Sequence, residues 1–395
     1  MKQSINLPIN KIVLFCLVVG SIAFIDLGVL SIGAQFIAIG YSFCEVLKKK
    51  TLPRYVCLSF VWVICFFVLC LLSGLWAKSY NVTVLSNSIA FAQFGCILLS
   101  ILVICRTQEM YEEVLKYCIV AAVIICIRFV ISVPISQWGS IRRSVKTGIF
   151  SSNNTAEDLA LISIIMIWKA FIESKNSKKL KFFSLLFSAI VMFIVLMMGT
   201  KKGILIFGIG IIILYLSQSK NLFKSVFRIF VICIACFLCY KLMFNIPIFY
   251  QAIGKRIEGM FEVVGGGTSD GSTRARMAFI EIALKVFLSH PFIGVGIDGF
   301  RYENTYEFTY SHTNYVEILA NLGMIGFLLY YSIFAIVLKK SIKRIRINLL
   351  PFVLIIVMLV VDLFSVTYFY EDRAVFLAIT IIPLCLNLKE ESEYE

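Results

Sequence analysis

The stretch YSHTNYVEILANLGMIGF, Tyr310–Phe327, passes from a polar loop into a long apolar run. About 20 apolar residues are what a helix needs to cross the hydrocarbon core of a bilayer. This run continues from Thr313 to the lysines Lys339 and Lys340, so it reads as a membrane span. His312, one of only two histidines in the chain, stands at its lip.

The same signal recurs along the whole sequence. Of 395 residues, 60% are hydrophobic and 15% charged, and mean hydropathy is +0.93. Soluble domains average about 45–50% apolar and about 25% charged. The excess is spread over the full length, which excludes a soluble domain with one anchor and predicts an all-α polytopic membrane protein. No cleavable signal peptide is expected, because the first apolar stretch after Lys11 runs straight into a second. Cytoplasmic loops held by positive residues account for most of the net charge of +14, so no nucleic-acid partner is implied. Nearly all of the thirteen cysteines lie within apolar runs, where packing, not zinc or a disulfide framework, explains them.

Twelve apolar stretches begin near Lys11, Leu27, Pro53, Thr83, Val114, Ala156, Phe182, Gly203, Val226, Thr313, Leu349 and Ala374. Loop charge orients them. Lys48, Lys49, Lys50 and Arg54 form one basic loop; Lys175, Lys178, Lys179 and Lys181 a second; Lys220, Lys224 and Arg228 a third; Lys339, Lys340, Lys343, Arg344 and Arg346 a fourth. This set alternates with the other loops, which places it and both termini in the cytoplasm. The expected organisation is nine spans over residues 1–244, a large extracytoplasmic loop over 245–311, three spans over 312–388 and a solvated acidic cytoplasmic tail, KEESEYE, over 389–395. Within the loop, TRARMAFIEIALKVFLSHP puts Met277, Ile280, Ala283, Leu284, Phe287 and Leu288 at helical spacing. Pro291 ends that helix, and GVGIDGF follows as a glycine-rich turn.

Cations on the outer side run against the orientation rule and ask for another reason. Arg142 and Arg143 lie in one outer loop, Lys201 and Lys202 in the tight turn GTKKG, and Arg274, Arg276 and Arg301 in the large loop. Arg128 falls inside the fifth span, about two turns from its outer end. Contact with lipid headgroups or solvent accounts for some of these, and snorkelling for Arg128. A pocket for a phosphate or diphosphate accounts for the rest, since arginine's planar fork matches phosphate oxygens and lysine adds a point charge. The imidazole of His312, with an ordinary pKa of about 6.5, suits a proton acceptor. The competing reading is an interfacial residue at a helix start, with Ser311 or Thr313 as the cap. Glu303, Glu307 and Glu317 are rival bases, and His290 reads as a helix-end residue. The sequence shows neither a metal-ligand cluster nor a phosphate-cradling glycine loop, so no metal and no cofactor are expected.

The last third resembles the O-antigen polymerase and ligase family, bacterial membrane enzymes that join lipid-linked glycans. Four motifs in order carry the resemblance. TGIFSSNNTAEDLAL is similar to the family's G-x-F-x-n-x-N-x-x-A, and GTKKGIL to its serine-arginine-glycine turn. STRARMAFIEIALKVFLSHPFIGVGIDGF is similar to its arginine, helix, then hP-x-x-G-x-G-x-x-x-F. SHTNYVEILANLGMIGF is similar to its HN-x-Y-L-x-x-L-a-x-x-G-x-x-G. Together they cover roughly Thr147 to Phe334.

The resemblance implies a GT-C-like glycosyltransferase architecture with His312 as the catalytic residue. It makes Arg276 the loop arginine, with Arg274 as second choice. Lys201 stands where arginine is usual and Thr313 where asparagine is commonest. The implied activity is polymerisation of O-antigen, capsule or exopolysaccharide repeat units at the outer face of the bacterial inner membrane. Donor and acceptor are then oligosaccharides on undecaprenyl diphosphate, with membrane lipids and a chain-length regulator protein as further partners. A ligase moving the finished glycan onto lipid A core or a protein shares these motifs. A lipid-linked-glycan flippase is the alternative from another class. It calls for charged groups near the midplane of several spans, and only Arg128 and Asp362 qualify.

Overall fold

The computed structural model describes residues 9–48, 52–78, 81–135, 138, 152–173, 177–198, 200–217, 222–250, 254–255, 258–259, 262 and 271–392. Among these the chain is helical, with no strand. Each of the twelve apolar stretches is a helix: α1 Ile9–Ala23, α2 Gly28–Lys48, α3 Arg54–Leu72, α4 Asn81–Ile104, α5 Gln108–Ser132, α6 Ser152–Trp168, α7 Lys178–Met197, α8 Lys201–Ser217, α9 Leu222–Asn245, then α12 Asn314–Lys343, α13 Leu349–Val361 and α14 Glu371–Ser392. Between α9 and α12 lie α10, Gly271–Ser289, and the single turn α11, Phe300–Glu303. Among the described residues six helices are long and apolar enough to cross a membrane, and α1 and α13 are shorter apolar helices.

The chain divides into two compact units. The first comprises Met1–Ala121, Ala278–Ile355 and Asp362–Glu395. Its centre is aromatic. Phe66 lies 4.6 Å from Phe91 and 5.3 Å from Tyr330 between ring centroids, with Trp62 beside both. The indole N–H of Trp62 donates to the carbonyl of Leu329 at 2.8 Å. Such rings bring large apolar area together with a directional bond, which fixes α3 against α4 and α12. In the first half of α2, Gln35 and Ser31 both donate to the Glu371 carboxylate in the first turn of α14.

The second unit comprises Ala122–Met277 and Ile356–Val361. Here α6 packs against α7 and α8. Gly203 and Gly210 of α8 face Ala156 and Ile164 of α6 so closely that a side chain at either would overlap them. Small residues let helix backbones approach in this way. Along α9, Phe223, Val226, Phe227 and Phe230 are exposed, an apolar surface suited to lipid contact.

Two expectations are corrected in detail. Lys201 and Lys202 are not in a turn but form the first turn of α8. The glycine that suggested a turn, Gly203, serves the close approach to α6. Arg128 lies about one turn, not two, from the end of α5 at Ser132. The helix from 271 packs through Phe279, Ala283 and Val286, whereas Met277, Leu284 and Leu288 are exposed. Apolar residues lie on two sides of that helix, with Ala283 of the expected set buried and Ile280 and Phe287 half-buried. The last helix, α14, continues to Ser392.

Candidate functional site

The site around His312 is built on a broken helix. Inside α12, Gly323 has φ +64° and ψ −165°, which ends the helical path and restarts it. The backbone groups freed by the break are taken by the segment from Pro291. The amides of Met324 and Ile325 donate to the carbonyls of Pro291 and Phe292 at 2.8 and 3.1 Å. In return, Val295 and Gly296 donate to the carbonyls of Ala320 and Asn321 at 3.0 and 2.8 Å. Four bonds thus thread the glycine turn through α12. Side chains at Gly294 or Gly323 would collide with the opposing backbone, so both positions require glycine. The turn is anchored further by Ser73, whose hydroxyl accepts from the Ile297 amide at 3.0 Å.

His312 is half-buried just before α12, with φ +62°. Its ring lies 4.3 Å from that of Tyr310 and 5.8 Å, stacked, from that of Phe279. Thr313 occupies the N-cap position but forms no side-chain cap; its hydroxyl donates instead to the Leu363 carbonyl at 3.2 Å. Asn314 fastens the helix start. Its amide donates to the Asp362 carbonyl at 2.8 Å, its side-chain oxygen accepts from Thr367 at 3.0 Å, and its Nδ2 donates to the Asp362 carboxylate at 3.1 Å. Tyr331 donates to the same carboxylate at 2.9 Å, as does Thr367. Asp362 is therefore a structural acceptor rather than a charge exposed within a span.

Two of the three rival bases are engaged elsewhere. Glu317 is buried and bonded to Ser311 and Asn321. Glu303 pairs with Lys78, a cation that the sequence reading passed over. Glu307 is exposed. His290 ends α10 with its amide on the carbonyls of Val286 and Phe287, while its side chain is exposed. Arg301 is held at 3.1 Å by Asp298 and lies over the Phe308 ring, so its charge is matched within the protein. Burial raises the pKa of Asp298, and Arg301 partly opposes that shift.

The second unit holds most of the other cations. Lys202 pairs at 3.4 Å with Glu157, a buried residue of α6. A cation at a helix N-terminus opposes the helix dipole, and Glu157 offsets that cost. Two residues before Lys202, the hydroxyl of Thr200 is buried with no hydrogen-bond partner among the described residues. Lys201 is half-buried, Arg276 half-buried and Arg274 exposed. Arg142 and Arg143 lie outside the described residues. Among the described residues no group of three or more His, Cys, Asp or Glu could hold a metal ion.

Residues 184–331 match the family model described as O-antigen ligase. That match shows the resemblance to the O-antigen polymerase and ligase family. The matched segment contains Lys201, Lys202, Arg274, Arg276, Arg301 and His312; Arg128, Arg142 and Arg143 lie before it. No curated protein matches the chain.

Asn321 and Asn314 are members of the site that sequence reasoning missed, and Glu317 was singled out only as a rival base. Their signal was present: three polar side chains spaced three and four apart within an apolar run share one helix face. In a membrane segment such a stripe asks for internal partners.

Proposed function

We propose that the chain is a polysaccharide polymerase with twelve spans and a GT-C-like architecture. It joins repeat units carried on undecaprenyl diphosphate at the outer face of the inner membrane. Lys201 and Arg276 hold the diphosphate of the donor and stabilise it as it leaves. Arg274 and the loop arginines Arg142 and Arg143 assist. His312 takes the proton from the acceptor hydroxyl as the new glycosidic bond forms at the anomeric carbon and the bond to diphosphate breaks. The observation that carries this reading is the presentation of His312. It is the one histidine of the family-matched segment that is half-buried at a fixed, left-handed tip, while the neighbouring carboxylates Glu303 and Glu317 are committed to other partners. The description of the matched family as a ligase favours a second reading, transfer of a finished glycan to lipid A core or a protein.

Purified protein incubated with an undecaprenyl-diphosphate-linked repeat unit and no ATP tests both. Products lengthened by whole repeat units support the polymerase. Transfer only when a lipid A core or protein acceptor is added supports the ligase. Movement of the lipid across a vesicle without a new bond overturns both. In the same assay Lys201→Ala and Arg276→Ala should each lower activity by ~10-fold or more with expression retained, and Lys201→Arg should be tolerated better than Lys201→Ala. Normal rates in both alanine variants would place the diphosphate elsewhere.

A further inference from the structure

Glu317 is buried to within 2% of its surface, on the first turn of α12. One carboxylate oxygen accepts from the backbone amide of Ser311 at 2.6 Å, the other from Nδ2 of Asn321 at 3.0 Å. Ser311 is also tied through its hydroxyl, which donates to the Thr313 carbonyl at 2.9 Å. The residues on either side of position 312 are therefore drawn together. The residue between them must bulge, and its φ of +62° records the result. A non-glycine residue keeps that conformation only where its surroundings impose it. Asn321 extends the restraint to the glycine turn: its side-chain oxygen accepts from the Phe300 amide at 2.8 Å and its carbonyl from the Gly296 amide at 2.8 Å.

We propose that Glu317 is a positioning residue, whose carboxylate holds Ser311 and so sets the left-handed tip that presents His312. The inference rests on reading His312 as the proton acceptor. Glu317 itself stays away from the acceptor hydroxyl, because its oxygens are occupied by backbone and amide donors. A carboxylate offers acceptors on both sides, whereas an amide offers one acceptor and one donor. Glutamine at 317 can therefore satisfy Ser311 or Asn321, but not both.

The test uses the full chain in nanodiscs, with undecaprenyl-diphosphate-linked repeat unit as the probe. His290, the other histidine, is exposed, and a His290→Gln background leaves His312 as the single imidazole. Its carbethoxylation by diethyl pyrocarbonate then reports its presentation independently of turnover, and melting temperature reports folding. Glu317→Ala should lower kcat by ~10–100-fold with KM for the donor unchanged, the effect expected of a misplaced catalytic group. The carbethoxylation rate of His312 should change with it, and Glu317→Gln should fall between Glu317→Ala and the parent. Unchanged kcat and carbethoxylation rate in Glu317→Ala, whatever the melting temperature does, would overturn the proposal and leave Glu317 a support for the helix alone. If Glu317→Ala does not fold, the same two readouts on Glu317→Gln decide. A His312→Gln variant runs alongside: full activity there defeats the base reading, whereas a changed carbethoxylation rate in Glu317→Ala still upholds the tip.

Discussion

At the scale of single residues, two backbone conformations carry the argument. His312 sits at φ +62°, where asparagine is among the few other residues at ease. His312→Asn is therefore the best-matched probe: it keeps the tip but cannot accept a proton. Turnover should fall by ~10²–10⁴-fold while the melting temperature stays close to the parent's, and His312→Gln should be nearly as impaired. Activity of the parent should decline on acidification, because a protonated imidazole has no lone pair to offer. A folded His312→Asn or His312→Gln that polymerises at the normal rate would defeat the base role. Gly323 is the second case. Its φ and ψ belong to a region essentially reserved for glycine, so Gly323→Ala should cost on the order of 1–3 kcal/mol from backbone strain alone, with the clash against Phe292 added. A thermal melt of the purified variant checks this. His312 was singled out in the sequence through its motif. The bond of Glu317 to Ser311 was not, because a side chain bonded to a backbone amide leaves no pairwise signature.

At the scale of elements, the twelve helices were legible because uninterrupted apolar runs have few other solutions in a bilayer. Which face each buries was less so, as α10 shows: apolar residues on two sides leave the choice to packing. The turn between α10 and α11 offers a measurable consequence of burial. Asp298 is buried, and its pKa is raised above the ordinary carboxylate value, with Arg301 only partly opposing. The folded state then binds the proton more tightly than the unfolded chain does. Stability from this group is complete below the unfolded pKa and declines as pH rises through the higher folded one. Asparagine tolerates the left-handed conformation of residue 298 and carries no proton to lose. The melting temperature of Asp298→Asn relative to the parent should therefore improve from acid to neutral pH. A constant difference would show that the burial of Asp298 does not set the pH dependence.

At the scale of the whole molecule, loop charge predicts a topology that cysteine labelling can test. Glu307 and Arg346 are both exposed, whereas Ser341, in the same basic segment as Arg346, is buried and a poor reporter. In a cysteine-free background, Glu307→Cys should react with an impermeant maleimide on intact cells and Arg346→Cys only after permeabilisation. The opposite pattern would invert the orientation. The broken α12 has a consequence of another kind, for biogenesis. An interrupted helix is not a self-sufficient rod in lipid, since backbone groups flanking Gly323 bond to Pro291–Gly296. That segment precedes them in the chain, so it has already left the ribosome when the break emerges. Synthesis order thus delivers the complement before the defect.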